Sequence, residues 1–251
     1  MALDLSPIPL LTGLRAERHQ ASHEGCLYMP SSSVQRAIEE ITAEIQAGRT
    51  DGFKAVLEGC HATDNPRGSA STFIDRLIPF QKIEQGGSAT IDDEAIGYYR
   101  TPPLITLELS KALCLKDSDT LIDIGGGNGT TSAIFALLNP QSKIVCLEFN
   151  EGLARQAQEI KEHLRIKNMS VAHEDAFAAD LSSATVLYLY YPFNDKLFSR
   201  FVAKLDPLAM PDVVVNGNDA EILHNRSQLL SESTHTFKNG DISWWKGNLR
   251  G

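Results

Sequence analysis

Residues 121–129, Leu-Ile-Asp-Ile-Gly-Gly-Gly-Asn-Gly, constrain this chain more than any other stretch. Three apolar side chains around one acid fit a short buried strand, and Gly125, Gly126, Gly127 and Gly129, having no side chains, are not core packing. Thr130, Thr131 and Ser132 then open an apolar run, Ala133 to Leu138, which reads as a helix stopped by Asn139 and Pro140. Strand, bare turn and helix in that order form a seat for a nucleotide-like ligand, because a turn without Cβ atoms lets the backbone approach the ligand.

Two carboxylates stand at matching distances. Lys143 to Glu148 reads as a second strand, and Glu148 lies 23 residues beyond Gly125, near the spacing of an acid that accepts hydrogen bonds from ribose hydroxyls. Phe149 follows it directly. Ser170 to Phe177 reads as a third short strand, where Asp175 is placed to accept from an adenine amino group, with Ala176 and Phe177 flanking the ring.

With these residues the chain resembles the class I S-adenosyl-L-methionine-dependent methyltransferases over roughly residues 98–218. The resemblance implies a Rossmann-like α/β fold, a mostly parallel central sheet closed by a C-terminal antiparallel hairpin. It implies S-adenosyl-L-methionine as cofactor, with Asp123, Gly125, Gly127, Asn128 and Gly129 around its methionine part. Glu148 would then lie at the ribose, Asp175, Ala176 and Phe177 at the adenine, and Phe149 would be a further cofactor contact. The competing ligand is a nicotinamide or flavin dinucleotide, whose fingerprint asks for glycine or alanine at the sixth position. Thr130 stands there. The spacing is G-x-G-x-G, which favours a cofactor with no pyrophosphate to set on a helix N-terminus.

A chain of 251 residues, 42% apolar and 22% charged, has the material for one sizeable globular domain with an added subdomain. We expect a helical N-terminal extension over residues 1–95, shaping the acceptor site, and the methyltransferase domain over residues 96–251. The net charge of −9 argues against nucleic acid as acceptor, leaving a protein side chain or a small molecule. No basic leader or long apolar run is evident, and Cys26, Cys60, Cys114 and Cys146 show no C-x-x-C spacing. A soluble, cytoplasmic protein is the expectation. His19, His23 and Cys26, with Cys60 and His61, are the candidates for zinc. Their spacing lacks the paired ligands of a structural site, so no metal is expected.

Within the extension, Ser32 and Ser33 cap a helix whose Val34, Ala37, Ile38, Ile41 and Ile45 share a face until Gly48. Phe53, Val56 and Leu57 suggest a second helix, residues 65–69 read as a loop, and 73–80 as an apolar patch. Ahead of the helix 104–115 stand Tyr99, Thr101, Pro102 and Pro103. Thr101 either caps that helix or turns its hydroxyl toward the cofactor. A similar aromatic-x-Thr-Pro segment in relatives lies across the methionine end, which implies that role for Tyr99 and Thr101. Equally, the segment reads as a turn with packing tyrosines.

Residues 185–190 read as a fourth strand, with Tyr188 alternating into the core and Tyr190 at the strand's end beside the cofactor. Amino-group methylases of the family often carry Asp or Asn and two prolines before an aromatic here; this chain has Tyr190, Tyr191, Pro192 and Phe193. The departure argues against methylation of a base's exocyclic amine and leaves an aromatic acceptor pocket. Tyr99 and Tyr191 are the catalytic candidates, with Glu94 as a possible proton acceptor. Residues 212–218 read as a fifth strand, Ile222 to Leu230 as a helix, and 234–237 with 242–246 as a hairpin across Asn239 and Gly240. Two other functions fit the pattern: an NAD(P)-dependent oxidoreductase, and a noncatalytic binding module with the same fold.

Overall fold

A computed structural model describes residues 32–78, 100–190, 192–205, 212–216, 230–233 and 242–247. The N-terminal part contributes α1 (Ser32–Gln46), α2 (Asp51–Cys60), α3 (Pro66–Leu77) and α4 (Pro103–Leu113). The α/β part runs β1 (Thr120–Ile124), α5 (Thr130–Leu138), β2 (Lys143–Glu148), α6 (Glu151–His163), β3 (Met169–His173) and β4 (Val186–Tyr190). It continues through α7 (Asp195–Lys204) and β5 (Asp212–Asn216) to β6 (Leu230–Ser233) and β7 (Ile242–Gly247).

These strands form one sheet in the order β3-β2-β1-β4-β5-β7-β6. The first five are parallel, and β7 runs antiparallel to both of its neighbours. Strand order reverses at β1, which pairs with β2 on one side and β4 on the other. Open α/β sheets bind ligands in the crevice at that reversal, beyond the strands' carboxyl ends. The Rossmann-like sheet with its antiparallel closing pair is the fold expected from the sequence.

Period-two alternation divides the core. Leu121, Ile144, Cys146, Val186 and Tyr188 pack with α4, α5 and α6 on one face. Ile122, Ile124, Leu147, Leu187 and Leu189 pack on the other with Leu197, Phe198 and Phe201 of α7. The apolar faces of α1, α2 and α3 join the first cluster through Ile38, Phe53, Phe73 and their neighbours. Lys111 of α4 pairs with Glu58 of α2 at 2.8 Å, and Gln46 donates to the carbonyl of His163 at 2.7 Å.

Three local readings are corrected. The supposed loop at 65–69 is the start of α3: Asn65 Oδ1 accepts the Gly68 amide at 3.1 Å and Pro66 occupies the first turn. Proline without an N–H and asparagine as a cap are helix-opening as much as loop-forming residues. Strand β3 stops at His173, because Asp175 Oδ1 takes the Phe177 amide at 2.9 Å and folds the chain into a turn. Leu230, read as helical, begins β6, four residues earlier than the expected hairpin strand. Residues 234–241 lie outside the described residues.

Gly129 sits at φ +78°, where a Cβ would stand 2.5 Å from Ala157 Cβ and 2.9 Å from its Cα. Gly129→Ala therefore combines left-handed strain with a backbone clash, and should lose about 2–5 kcal/mol of stability in urea unfolding. Asn65→Ala should lose about 1 kcal/mol in the same measurement, the usual cost of a missing cap.

Candidate cofactor site

The turn after β1 is held from beneath by the end of β2. The amides of Gly125 and Gly126 both donate to the Leu147 carbonyl, at 2.9 and 3.1 Å. Gly127 donates to Glu148 Oε2 at 2.8 Å, and Gly129 to the Gly126 carbonyl at 3.0 Å. Gly125, Gly127 and Gly129 have φ of +70°, +58° and +78°, so the turn needs glycine for its backbone angles as well as for space. A Cβ on Gly126 would stand 2.6 Å from Cys146 Sγ, and one on Gly125 would stand 2.7 Å from Pro192 Cβ. The Pro192 contact brings the segment after β4 against the turn. Asn128 Oδ1 accepts from both the amide and the hydroxyl of Thr130, at 3.2 and 2.8 Å, fixing the start of α5.

Glu148 is buried, and its Oε1 accepts the Asn150 amide at 2.7 Å. Both carboxylate oxygens therefore accept backbone N–H groups, and a carboxylate's four lone-pair sites leave capacity for another donor. Burial raises the Glu148 pKa, while the amides of Asn150, Gly127 and Phe149, and nearby His173, pull it back. Phe149, 43% exposed, is the exposed large apolar side chain among the described residues. Its carbonyl meets His173 Nε2 at 2.9 Å.

Asp123 lies on the α5 face of the sheet, in register with Cys146 and Tyr188. Ser132 Oγ donates to its Oδ2 at 2.6 Å. Burial pushes the Asp123 carboxyl up to about 7; the Ser132 hydrogen bond opposes the rise and the Glu148 charge adds to it. Burial also drives the Cys146 thiol far above its ordinary value, so it packs as an inert small side chain. Ser132 was not singled out from sequence. Its position in the first turn of the helix after Asp123 was the available signal.

At β3, half-buried Asp175 uses Oδ1 to fix its own turn, and Ala176 is buried. The Phe177 ring lies 5.4 Å from Phe193 and 6.1 Å from Phe201, within the α7 cluster. Thr101 does not cap α4, whose N-cap is Pro102 with no side-chain bond. Its hydroxyl pairs instead with Tyr188 Oη at 2.7 Å, both residues being buried. Tyr188 also meets Phe135 edge-on at 5.2 Å, consistent with core packing. Tyr190 is half-buried at the end of β4 against the first core cluster. Glu94, Tyr99 and Tyr191 lie outside the described residues, as do His19, His23 and Cys26. Among the described residues no three His, Cys, Asp or Glu side chains gather as metal ligands. No described helix is long and apolar enough to cross a membrane.

Residues 115–188 match a family model described as a methyltransferase domain. The match covers under a third of the chain. Over 69 residues the chain is 33% identical to a tRNA (guanine-N(7)-)-methyltransferase of Mycoplasma mobile, a match spanning 28% of this chain. The chain spans about a third (34%) of the length of that curated relative. Among solved structures it is similar to an RNA methyltransferase from Salinibacter ruber bound to S-adenosyl-L-homocysteine. That likeness has 21% identity and a TM-score of 0.49, and covers 61% of this chain and 95% of the other. It is also similar to an O-methyltransferase from Thermotoga maritima, at 16% identity and a TM-score of 0.45, covering 61% of this chain and 69% of the other.

The residues present fit S-adenosyl-L-methionine, the cofactor that the resemblance implies. The turn carries no side chains at Gly125 to Gly127, Glu148 keeps acceptor capacity beside it, and Phe149 offers an exposed ring. The expectation that net negative charge disfavours nucleic acid is corrected: a relative 33% identical over 69 residues is a tRNA methyltransferase. Whole-chain charge averages over the surface and is silent about a local patch.

The raised Asp123 pKa gives a signed prediction. The folded state holds a proton there that the unfolded chain releases near the ordinary aspartate value, so stability declines as pH rises through this interval toward about 7. Urea midpoints measured at about pH 5 and about pH 8 should show a larger alkaline loss in the wild type than in Asp123→Asn, whose amide has no proton to release.

Proposed function

We propose that the chain is an S-adenosyl-L-methionine-dependent methyltransferase whose acceptor is RNA, with tRNA the first substrate to test. The observation that carries the cofactor reading is the direction of the turn's amides. Gly125, Gly126, Gly127 and Gly129 all donate inward, to Leu147, Glu148 and Gly126. A dinucleotide site needs such amides turned toward pyrophosphate. Inward amides, an acceptor carboxylate and no cradle for an anion suit an adenosyl ligand of positive sulfonium character, and disfavour an oxidoreductase.

The RNA reading rests on the likeness of this domain to a tRNA methyltransferase. The bound cofactor supplies a methyl group on a sulfonium, transferred by in-line displacement. The chain's own task is to align the acceptor with that carbon and exclude water. The acceptor would lie in a space past the carboxyl end of β4, near Pro192 where it packs on Gly125, with Tyr191 and Tyr99 proposed as its orienting groups. In this reading the extension of residues 1–95 covers that space, and Asp175 and Phe149 hold the adenine.

Titration calorimetry with S-adenosyl-L-methionine should show binding that weakens by about 10-fold or more in Glu148→Gln, the worth of a hydrogen bond to a charged group. Methyl-tritiated cofactor incubated with unfractionated tRNA should give label removed by ribonuclease and kept after protease. Label that instead follows protein or a small molecule would sink the RNA acceptor while leaving the methyltransferase standing. Tighter binding of NAD(P) than of S-adenosyl-L-methionine would overturn both.

A further inference from the structure

Helix α7 carries Lys196, Arg200 and Lys204 four residues apart, all exposed. Residues at this spacing stack along one side of a helix, so the three cations form a row about 12 Å long. The opposite side of α7, Leu197, Phe198 and Phe201, is buried against the sheet, which leaves the charged row facing outward.

Two of the three cations are positioned by neutral partners. The Arg200 guanidinium lies 5.1 Å from the centroid of the Phe177 ring. A guanidinium over a ring spends no N–H on a carboxylate and keeps donors for an anion. Lys204 Nζ donates to the carbonyls of Ala176 and Ala179 at 2.8 and 2.7 Å, and an ammonium has three donors. Neither partner is a carboxylate, so the charges are held in place without being neutralised. Asp180, exposed beside Lys204, takes a share of that cation's field. Prior positioning lowers the entropy lost when an anion binds.

The row has a definite place relative to the site. Its first residue follows the Pro192 to Asn194 segment that packs on Gly125, and its last two rest on the 175–179 turn beyond β3. We propose that Lys196, Arg200 and Lys204 form a phosphate-binding row that guides an RNA strand along α7 toward the acceptor space. This rests on the RNA reading above. It also explains how a chain with net charge −9 can hold a polyanion: the three cations act locally along one helix face, where the whole-chain sum does not set the field.

The test uses the full chain and fluorescein-labelled unfractionated tRNA, with anisotropy read between about 50 and about 200 mM salt. Lys196→Ala and Arg200→Gln should each weaken binding several-fold at low salt and reduce the salt slope by about one, as expected for a lost phosphate contact. Lys196→Ala is the decisive variant, because it removes one cation of the row and leaves Arg200 over the Phe177 ring and Lys204 on the Ala176 and Ala179 carbonyls. Its affinity for S-adenosyl-L-methionine, measured in parallel, should equal that of the wild type. Unchanged tRNA affinity and slope in both variants, with a wild type that does methylate RNA, would overturn the row and leave the RNA reading intact. A wild type that neither binds nor methylates RNA would overturn the RNA reading and the row with it.

Discussion

The carboxylate of Glu148 joins the two loops on which the site depends. One oxygen holds the Gly127 amide of the turn after β1, and the other holds the Asn150 amide at the start of α6. Parallel strands place their following loops side by side, but they do not tie those loops together. Here a single buried acid does so, and burial makes the tie strong because the charge has little water to compete for it. The Leu147 carbonyl, accepting from both Gly125 and Gly126, completes the support. The turn is thus pinned to β2 from below.

That support explains why the glycines differ in purpose. Gly129 is required by the helix behind it, since Ala157 of α6 fills the space a Cβ would take. Gly126 is required by Cys146 beneath, and Gly125 by Pro192 on the acceptor side. Three neighbours from three different elements converge on five residues. A larger side chain at any of these positions would move a different part of the domain. The turn therefore records the packing of the sheet, α6 and the loop after β4 together.

Electrostatics near the turn follows from the same crowding. Asp123, Cys146 and Glu148 lie close together in a water-poor region; the Glu148 charge makes ionisation of Asp123 more costly, and both acids do the same for Cys146. Glu148 is compensated by backbone amides; Asp123 has Ser132. The two acids consequently have different tasks. Glu148 organises the turn as a hydrogen-bond acceptor, and Asp123 sits beneath it as a group whose proton is sensitive to the surroundings.

Much of this was legible from residue order alone. The strand, glycine turn and helix at 120–138, the acid at 148 and the closing antiparallel strands are local patterns whose period and spacing report directly on backbone geometry. Other features are pairings between distant residues, and no local pattern encodes them. Thr101 could cap a helix or face a ligand; the fold brings Tyr188 within 2.7 Å of it and engages the hydroxyl there. Phe177 reads as an adenine flank, yet its ring lies among Phe193 and Phe201 with Arg200 over it. Net charge read from composition pointed away from nucleic acid, because a sum over residues discards position. By itself the sequence determined the class of fold, a consequence of short-range periodicity and glycine's missing side chain, and its motifs carried the resemblance that implies the cofactor. Only the tertiary structure decided which hydroxyls, rings and cations remain available at the site, since that depends on which neighbours the folded chain brings within hydrogen-bonding or packing distance.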